Sequence, residues 1–131
     1  MKQDRGFTVI ELLVVLLFLL FGAIVFFSQK ATFDATARDD NRKTAINAMY
    51  YSLEEVYYEK HKSYPSTIDS KTLRSVDPAL FTDPQGYKLG DSDANYVYSP
   101  TNCTIDGACK SYTLSSTMER EATYTKNSRR N

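Results

Sequence analysis

The chain has 131 residues, sixteen of them basic and sixteen acidic, so its formal net charge is zero. This length accommodates one domain plus an anchor or a tail, and the charge balance gives no indication of a nucleic-acid partner over the whole chain. An almost wholly apolar run at positions 7–27 precedes a polar remainder, 28–131, that is rich in Ser, Thr and Tyr.

The apolar run predicts a membrane-spanning helix, since about twenty residues at 1.5 Å each cover the core of a bilayer. Lys2 and Arg5 precede it against one acid, Asp4, which predicts a cytoplasmic N-terminus with the rest of the chain outside. Glu11 lies inside the run, where a charged side chain costs free energy and a simple anchor gains nothing from it.

Two other interpretations of the run are a secretory signal and an ordinary single-span anchor. Residues 35–37, Ala-Thr-Ala, offer a small-residue cleavage site for a signal peptidase. That site lies well past the run, and the run is itself longer than the usual signal core.

The helix is predicted to continue to Lys62, because positions 28–62 contain neither Pro nor Gly. Residues three and four positions apart predict one buried and one exposed face in its second half. The predicted buried face is Ile46, Met49, Tyr50, Leu53, Val56 and Tyr57. The predicted exposed face is Arg42, Lys43, Asn47, Glu54 and Lys62. Residues 28–43 predict an exposed or subunit-facing stalk, so packing on a domain is expected from about Thr44.

Shorter elements are predicted after Tyr64 and Pro65, which end the helix. Asp69 is predicted to cap a short helix that carries Leu73 and Val76. Asp77 and Pro78 are predicted to start another turn, with Pro at the first helical position, and residues 83–86 to form a turn. Strands are expected at 96–98 and 112–114, with 117–119 extending the second or beginning a third. A frayed tail is expected from Thr125.

The predicted fold is therefore α+β, with a long N-terminal helix whose second half packs on a small antiparallel sheet. Cys103 and Cys109 are predicted to form a disulfide around a turn at Asp106 and Gly107, because disulfides persist outside the membrane. Free thiols and a two-thiol metal site are the alternatives. Closing this short loop stabilises the folded chain by roughly 2–2.5 kcal/mol in the chain-entropy model.

No enzymatic motif is found, so no catalytic residue and no cofactor is predicted. The single histidine, His61, is expected to be solvated at a helix end. Asp91, Asp93 and Asn95 have the spacing that begins a calcium loop. The Gly that should follow is Tyr96, and the closing Glu is also missing, so a polar turn is favoured and no metal site is predicted. Positions 102–104 fit the N-glycosylation pattern.

Residues 6–11, Gly-Phe-Thr-Val-Ile-Glu, resemble the processing site of type IV pilins and the related pseudopilins. The shared pattern is a short basic leader, Gly, Phe, Thr and a Glu five residues into the mature chain, leading an unbroken apolar helix. Less sharply, segments 64–65, 83–86 and 112–117 look like the major pseudopilin of type II secretion and similar short pilins.

In that family a prepilin peptidase cuts after the Gly and methylates the new amine. The resemblance implies that Gly6 is the cleavage residue, Phe7 the methylated N-terminus and Glu11 the assembly residue. The implied segments are a leader (1–6), a transmembrane or filament-core helix (7–27), a stalk and amphipathic half-helix (28–62), a small soluble domain (63–125) and a flexible tail (126–131).

The implied function is a structural subunit of a homo-oligomeric helical filament. The implied partners are the prepilin peptidase and methyltransferase and an assembly platform in the inner or cytoplasmic membrane. The chain would be a single-pass membrane protein before assembly and part of a cell-surface filament afterwards. The alternative is a minor or tip pilin, or a competence or secretion pseudopilin, that acts as a membrane-tethered binding module without extensive polymerisation.

A physical role for Glu11 follows from that cleavage. An amine at Phe7 is largely cationic near neutral pH, and the Glu11 carboxylate of a neighbouring subunit can neutralise it. In a filament core both charges are desolvated, so each requires the other. The alternative is that Glu11 only favours the positive N-terminal end of its own helix.

Overall fold

The computed structural model describes residues 8–130. The chain divides into two compact units, Met1–Ala35 and Thr36–Asn131, and helix α1, Val9–Tyr51, contributes residues to both. A π-helical turn, Ser52–Tyr57, and a short helix α2, Tyr58–His61, continue α1. The predicted helical half of the chain is thus confirmed from Val9. It ends where Lys62 adopts a left-handed backbone conformation, with φ of 53°.

Four strands form one antiparallel sheet in the second unit. They are β1 Tyr64–Pro65, β2 Tyr96–Cys103, β3 Ala108–Ser116 and β4 Tyr124–Asn127. The central strand is β3, which pairs with β2 along one edge and with β1 and β4 along different halves of the other edge. Both predicted strands are confirmed and extend beyond the predicted segments, so the predicted α+β fold is confirmed.

The core of the second unit lies between the helical segment and the sheet. Ile46, Met49 and Leu53 are fully buried and pack in one cluster with Tyr112 and Leu114 of β3. Most of the predicted helix face is therefore confirmed. Two of its members differ, because Val56 is 39% exposed and Tyr57 is half-buried.

The prediction that Arg42 is exposed is wrong, because its side chain is 1% exposed at the centre of an ionic cluster. Its guanidinium donates to Asp39 at 2.9 Å and to Gln85 at 3.0 Å, and it forms ion pairs with Glu119 at 2.9 Å and Asp83 at 3.4 Å. A charged side chain is buried here because several acceptors compensate it.

Asp39 also lies in this cluster, and Arg38 beside it pairs with Glu119 at 2.7 Å, so packing extends N-terminal to Thr44 and the predicted stalk is shorter than expected. Its carboxylate accepts the backbone N–H groups of Glu119 at 2.9 Å and Arg120 at 2.8 Å. Burial opposes ionisation of Asp39, but these hydrogen bonds and the Arg42 charge outweigh it and hold its pKa below the usual value. The pKa of Asp83 is also lowered, because hydrogen bonds, of which that from the Asn95 side chain is the strongest, outweigh the opposing effect of burial.

Glu54, also predicted to be exposed, is fully buried in the π-helical turn. Its carboxylate accepts the hydroxyls of Tyr64 at 3.0 Å and Tyr112 at 2.9 Å, and the backbone N–H of Arg129 at 3.1 Å. A π-helical turn holds more residues than an α-helical one, so side chains inside it do not follow the α-helical spacing. Ser52, Leu53 and Glu54 are all buried in this turn, whereas Val56 is 39% exposed. Burial first, and Glu54 second, raise the pKa of both tyrosine hydroxyls.

Among the short elements, two predictions are confirmed and one is wrong. Pro78–Phe81 is a 3₁₀-helix capped by the Asp77 side chain, which accepts the Ala79 N–H at 2.9 Å. The turn at 83–86 closes with a 2.9 Å bond from Gly86 N to Asp83 O. Asp69 caps only a turn, by accepting the Thr72 N–H at 2.7 Å, and no helix follows it up to Asp77.

The segment predicted to be a frayed tail from Thr125 instead forms β4 through Asn127. After it, the Arg129 guanidinium contacts Glu55 and the Arg130 guanidinium contacts Glu59, each at 2.7 Å. The polar composition of this segment suggested fraying, but its charges have partners on the helical segment. Residues 117–119 neither extend β3 nor begin a strand.

Replacing Arg42 by Met keeps most of the side-chain volume and removes the charge. We expect the free energy of unfolding to fall by about 3–5 kcal/mol, because two buried carboxylates lose their cation. Urea unfolding followed by tyrosine fluorescence measures this, since all ten tyrosines lie in the second unit and the chain has no Trp. The matched control is Lys43→Met, which removes a partly exposed ion pair with Glu121 and should cost much less. Equal losses would contradict the central role of Arg42.

The lowered pKa of Glu119 in the folded state predicts that the second unit loses stability in acid. Hydrogen bonds from Arg38, aided by Arg42, lower the pKa of the Glu119 carboxyl from its ordinary value of 4.5 to about 2. A carboxyl whose folded pKa is depressed stabilises the fold above its unfolded pKa, and that contribution disappears as the pH falls from about 4.5 to 2. The Glu119→Gln variant lacks the contribution at every pH. Its urea midpoint should therefore fall less than that of the wild type between pH 6 and pH 3, whereas parallel curves would contradict this assignment.

Candidate functional site

The apolar part of α1 presents an unbroken hydrophobic surface. Every large apolar side chain from Val9 to Phe27 is between 43% and 77% exposed. An 18-residue window of this helix has a mean hydropathy of 3.0, and none of it is buried. By length and composition this helix is able to cross a membrane. Gly22 lies within it and has open space around its Cα.

Glu11 lies in the first turn of α1 and is hydrogen-bonded to Thr8. Its Oε2 atom accepts the Thr8 backbone N–H at 2.9 Å and the Thr8 hydroxyl at 3.0 Å. In return, the Glu11 backbone N–H donates to Thr8 Oγ1 at 3.4 Å. This reciprocal arrangement is a capping box, with Thr8 as the N-cap and Glu11 at the third helical position. It satisfies backbone N–H groups that have no partner inside the helix.

The capping box leaves half of the Glu11 carboxylate available. Both hydrogen bonds that Thr8 donates to Glu11 end on Oε2, and within residues 8–130 no donor reaches Oε1. A carboxylate with one oxygen engaged can still accept a hydrogen bond from a cation on the other oxygen. The site therefore combines an anionic acceptor with an exposed apolar surface on the same helix end.

The other predicted residues of the N-terminal site are Gly6 and Phe7, which lie outside the described residues. The structure therefore places Glu11 alone of the three. The capping box is a feature that sequence analysis missed, although its signature was present. Thr8 and Glu11 have the Ser/Thr-x-x-Glu spacing that marks a helix start.

The predicted disulfide between Cys103 and Cys109 is confirmed, and it joins β2 to β3 where the two residues are directly paired. Gly107 has a φ of 80° in the turn between them, a conformation that glycine adopts without strain. Ile105 at the same turn is fully exposed. The bond thus fixes the end of the longest strand pair in the sheet.

The segment considered for calcium forms a turn, closed by a 3.1 Å bond from Ala94 N to Asp91 O. This confirms the interpretation as a polar turn. Asp91 accepts the Lys88 N–H at 2.8 Å. Asn95 turns its amide toward the Arg42 cluster, where it donates to Asp83 at 2.6 Å. Asp91 and Asn95 therefore serve the fold. His61, which is exposed, stacks on Tyr57 with ring centroids 4.3 Å apart.

Comparisons of the chain with models of protein families, with curated proteins and with solved structures find no match.

Proposed function

We propose that this chain is a structural subunit of a type IV pilus or type IV-like extracellular filament, assembled from the membrane after leader cleavage and N-methylation. The observation that carries the proposal is the exposed apolar helix with a single carboxylate in its first turn. A filament subunit requires such a helix twice, first inside the membrane and then against other copies of itself.

The exposed surface of residues 9–27 needs a covering. A contiguous apolar surface of this size on a soluble protein marks contact with a membrane or with another protein. A membrane covers it fully, and so does a bundle of identical helices. Between Val9 and Phe27 the helix has apolar side chains all around, which suits burial on every side and is unlike an amphipathic helix that lies on one surface.

The assembly role of Glu11 accounts for the charge in that surface. A membrane anchor is more stable without it, and the capping box requires a hydrogen-bond acceptor rather than a charge, since Gln serves as well at this position. A carboxylate is specifically needed where a cation must be neutralised. In the proposed filament that cation is the Phe7 amine of a neighbouring subunit, and Glu11 Oε1 is the oxygen that receives it.

The proposed route needs three partners. A prepilin peptidase and methyltransferase processes the chain at Gly6, an assembly platform in the inner or cytoplasmic membrane extracts it, and copies of the chain form the filament. The secretory-signal interpretation is less well supported, because Ala35, Thr36 and Ala37 lie inside α1, and the helix continues from them directly into the Arg42 cluster.

Processing gives the first test of this route. Intact-mass analysis of the mature protein should show a chain that begins at Phe7 and carries one added methyl group. Replacing Gly6 by Leu should leave full-length precursor in the membrane, because a bulky side chain blocks the peptidase. Gly22→Leu is the matched control and should be processed normally, since its surroundings are open. A mature chain that begins at Met1 or after Ala37 would contradict the proposal.

The role of Glu11 is tested by separating its charge from its cap. Glu11→Gln retains a capping side chain but removes the charge, whereas Thr8→Ala removes the cap and retains the charge. We expect Glu11→Gln and Glu11→Ala to be cleaved and inserted normally and to yield sheared filaments only at the level of an assembly-deficient strain. Glu11→Asp should be intermediate, because its shorter side chain reaches less far, and Thr8→Ala should still assemble.

Immunoblots of sheared surface material, with membrane-bound protein as the loading control, provide the measurement. Abundant filaments from Glu11→Gln cells would exclude a charge-pairing role and leave Glu11 as a cap. Loss of filaments in Thr8→Ala, with normal filaments in Glu11→Gln, would show that helix capping is what assembly needs.

A further inference from the structure

A groove of about 390 Å³ lies in the second unit between the end of the helical segment and the turn segment 71–75. One wall is formed by Tyr57, Lys60 and His61, and the other by residues 71–75. The two walls are fixed to each other, since the hydroxyls of Ser52 and Ser75 are hydrogen-bonded at 2.6 Å and Leu73 is 1% exposed in the core. The groove is therefore a built feature of the fold.

Cationic side chains line both walls. Lys60, Lys71 and Arg74 are exposed, and all three line the groove together with His61. Among the described residues that line the groove there is no Asp or Glu. Cations gathered in one cleft raise the local concentration of anions.

These three cations have no carboxylate partner at ion-pair distance within residues 8–130. Arg42, Arg129 and Arg130 of the same unit, in contrast, are each paired with a carboxylate. Glu59, next to Lys60 in sequence, pairs instead with Lys62 at 2.9 Å and with Arg130. The groove thus keeps its positive charge.

Asp69 attracts the charge of Lys71 electrostatically without forming an ion pair. The Asp69 carboxylate already accepts hydrogen bonds from its own turn. Its Oδ1 atom accepts the N–H groups of Lys71 at 2.9 Å and Thr72 at 2.7 Å, and the Thr72 hydroxyl at 2.7 Å. Arg74 Nε donates to the Lys71 carbonyl oxygen at 3.3 Å, which orients the guanidinium. Its remaining N–H groups are available to a ligand, and they suit the paired oxygens of an oxyanion.

We propose that this groove binds a phosphate group through Lys60, Lys71 and Arg74, as part of a ligand larger than phosphate itself. Three cations exceed what one carboxylate requires and match a phosphate that carries nearly two negative charges. The volume exceeds that of a single phosphate, so the rest of the ligand has room beside Tyr57 and Val56. The proposal goes beyond filament assembly and does not depend on it.

The experiment is an NMR titration of the ¹⁵N-labelled full chain in nanodiscs of zwitterionic lipid. Inorganic phosphate should cause saturable shifts of the amides of residues 57–61 and 71–75, and sodium chloride at equal ionic strength should not. The double variant Lys71→Gln/Arg74→Gln should weaken the apparent affinity roughly tenfold or more. The charge-matched control Lys88→Gln/Lys110→Gln, outside the groove, should bind like the wild type. Lys60→Gln gives an independent measurement from the other wall.

A second arm identifies the source of the phosphate. Nanodiscs that contain anionic phospholipid, without free phosphate, should shift the same amides if the ligand is a lipid headgroup. Shifts with free phosphate alone indicate a soluble phosphorylated ligand. The proposal is overturned if neither probe gives saturable shifts in the groove, if chloride has the same effect, or if the two double variants respond alike.

Discussion

Burial of one guanidinium, that of Arg42, joins three parts of the second unit that are far apart in sequence. It links helix α1 at Asp39, the turn at Asp83 and the segment at Glu119. Asp39 and Asp83 also accept bonds from backbone or side-chain amides, and Glu119 also pairs with Arg38, so the cluster is a network rather than a set of pairs. In a dry setting such a network stabilises only when nearly every member has partners. The stretch of α1 around Asp39 and Arg42 is therefore held by charge, ahead of the apolar core cluster that begins at Ala45.

This explains which parts of the fold could be predicted from the sequence. Ile46, Met49 and Leu53 were identified as core because apolar residues at helical spacing lose water when they pack. The Cys103–Cys109 hairpin was identified because cysteines with a turn between them leave few alternatives. Arg42 and Glu54 were placed outside, since a pattern of hydropathy counts every charge as exposed. Their partners come from residues 30 or more positions away in most cases, and a local pattern contains no information about them.

At the N-terminal site the feature that could be predicted from the sequence is the charge of Glu11. Glu11 attracted attention because its cost in a membrane is high, and that inference did not depend on any other residue. The hydrogen bond between Glu11 and Thr8 is local, and the Thr-x-x-Glu spacing that predicts it can be read directly from the sequence. The capping box and the proposed pairing with an amine are compatible, because they use different oxygens of one carboxylate. Capping also fixes the side chain in one orientation, which reduces the conformational entropy lost when a second partner binds.

The bond between Glu54 and the Arg129 backbone has a consequence for the order in which the unit is made. The two residues are 75 positions apart, and Arg38 and Glu119 are 81 apart. Synthesis delivers the helix first, so its buried carboxylate has no Arg129 donor until the ribosome has nearly reached the last described residue. Contacts of such long sequence separation form slowly because a long loop must close. Newly made chains thus pass through a stage in which the helical segment has been synthesised and its polar partners at Glu119 and Arg129 are still missing.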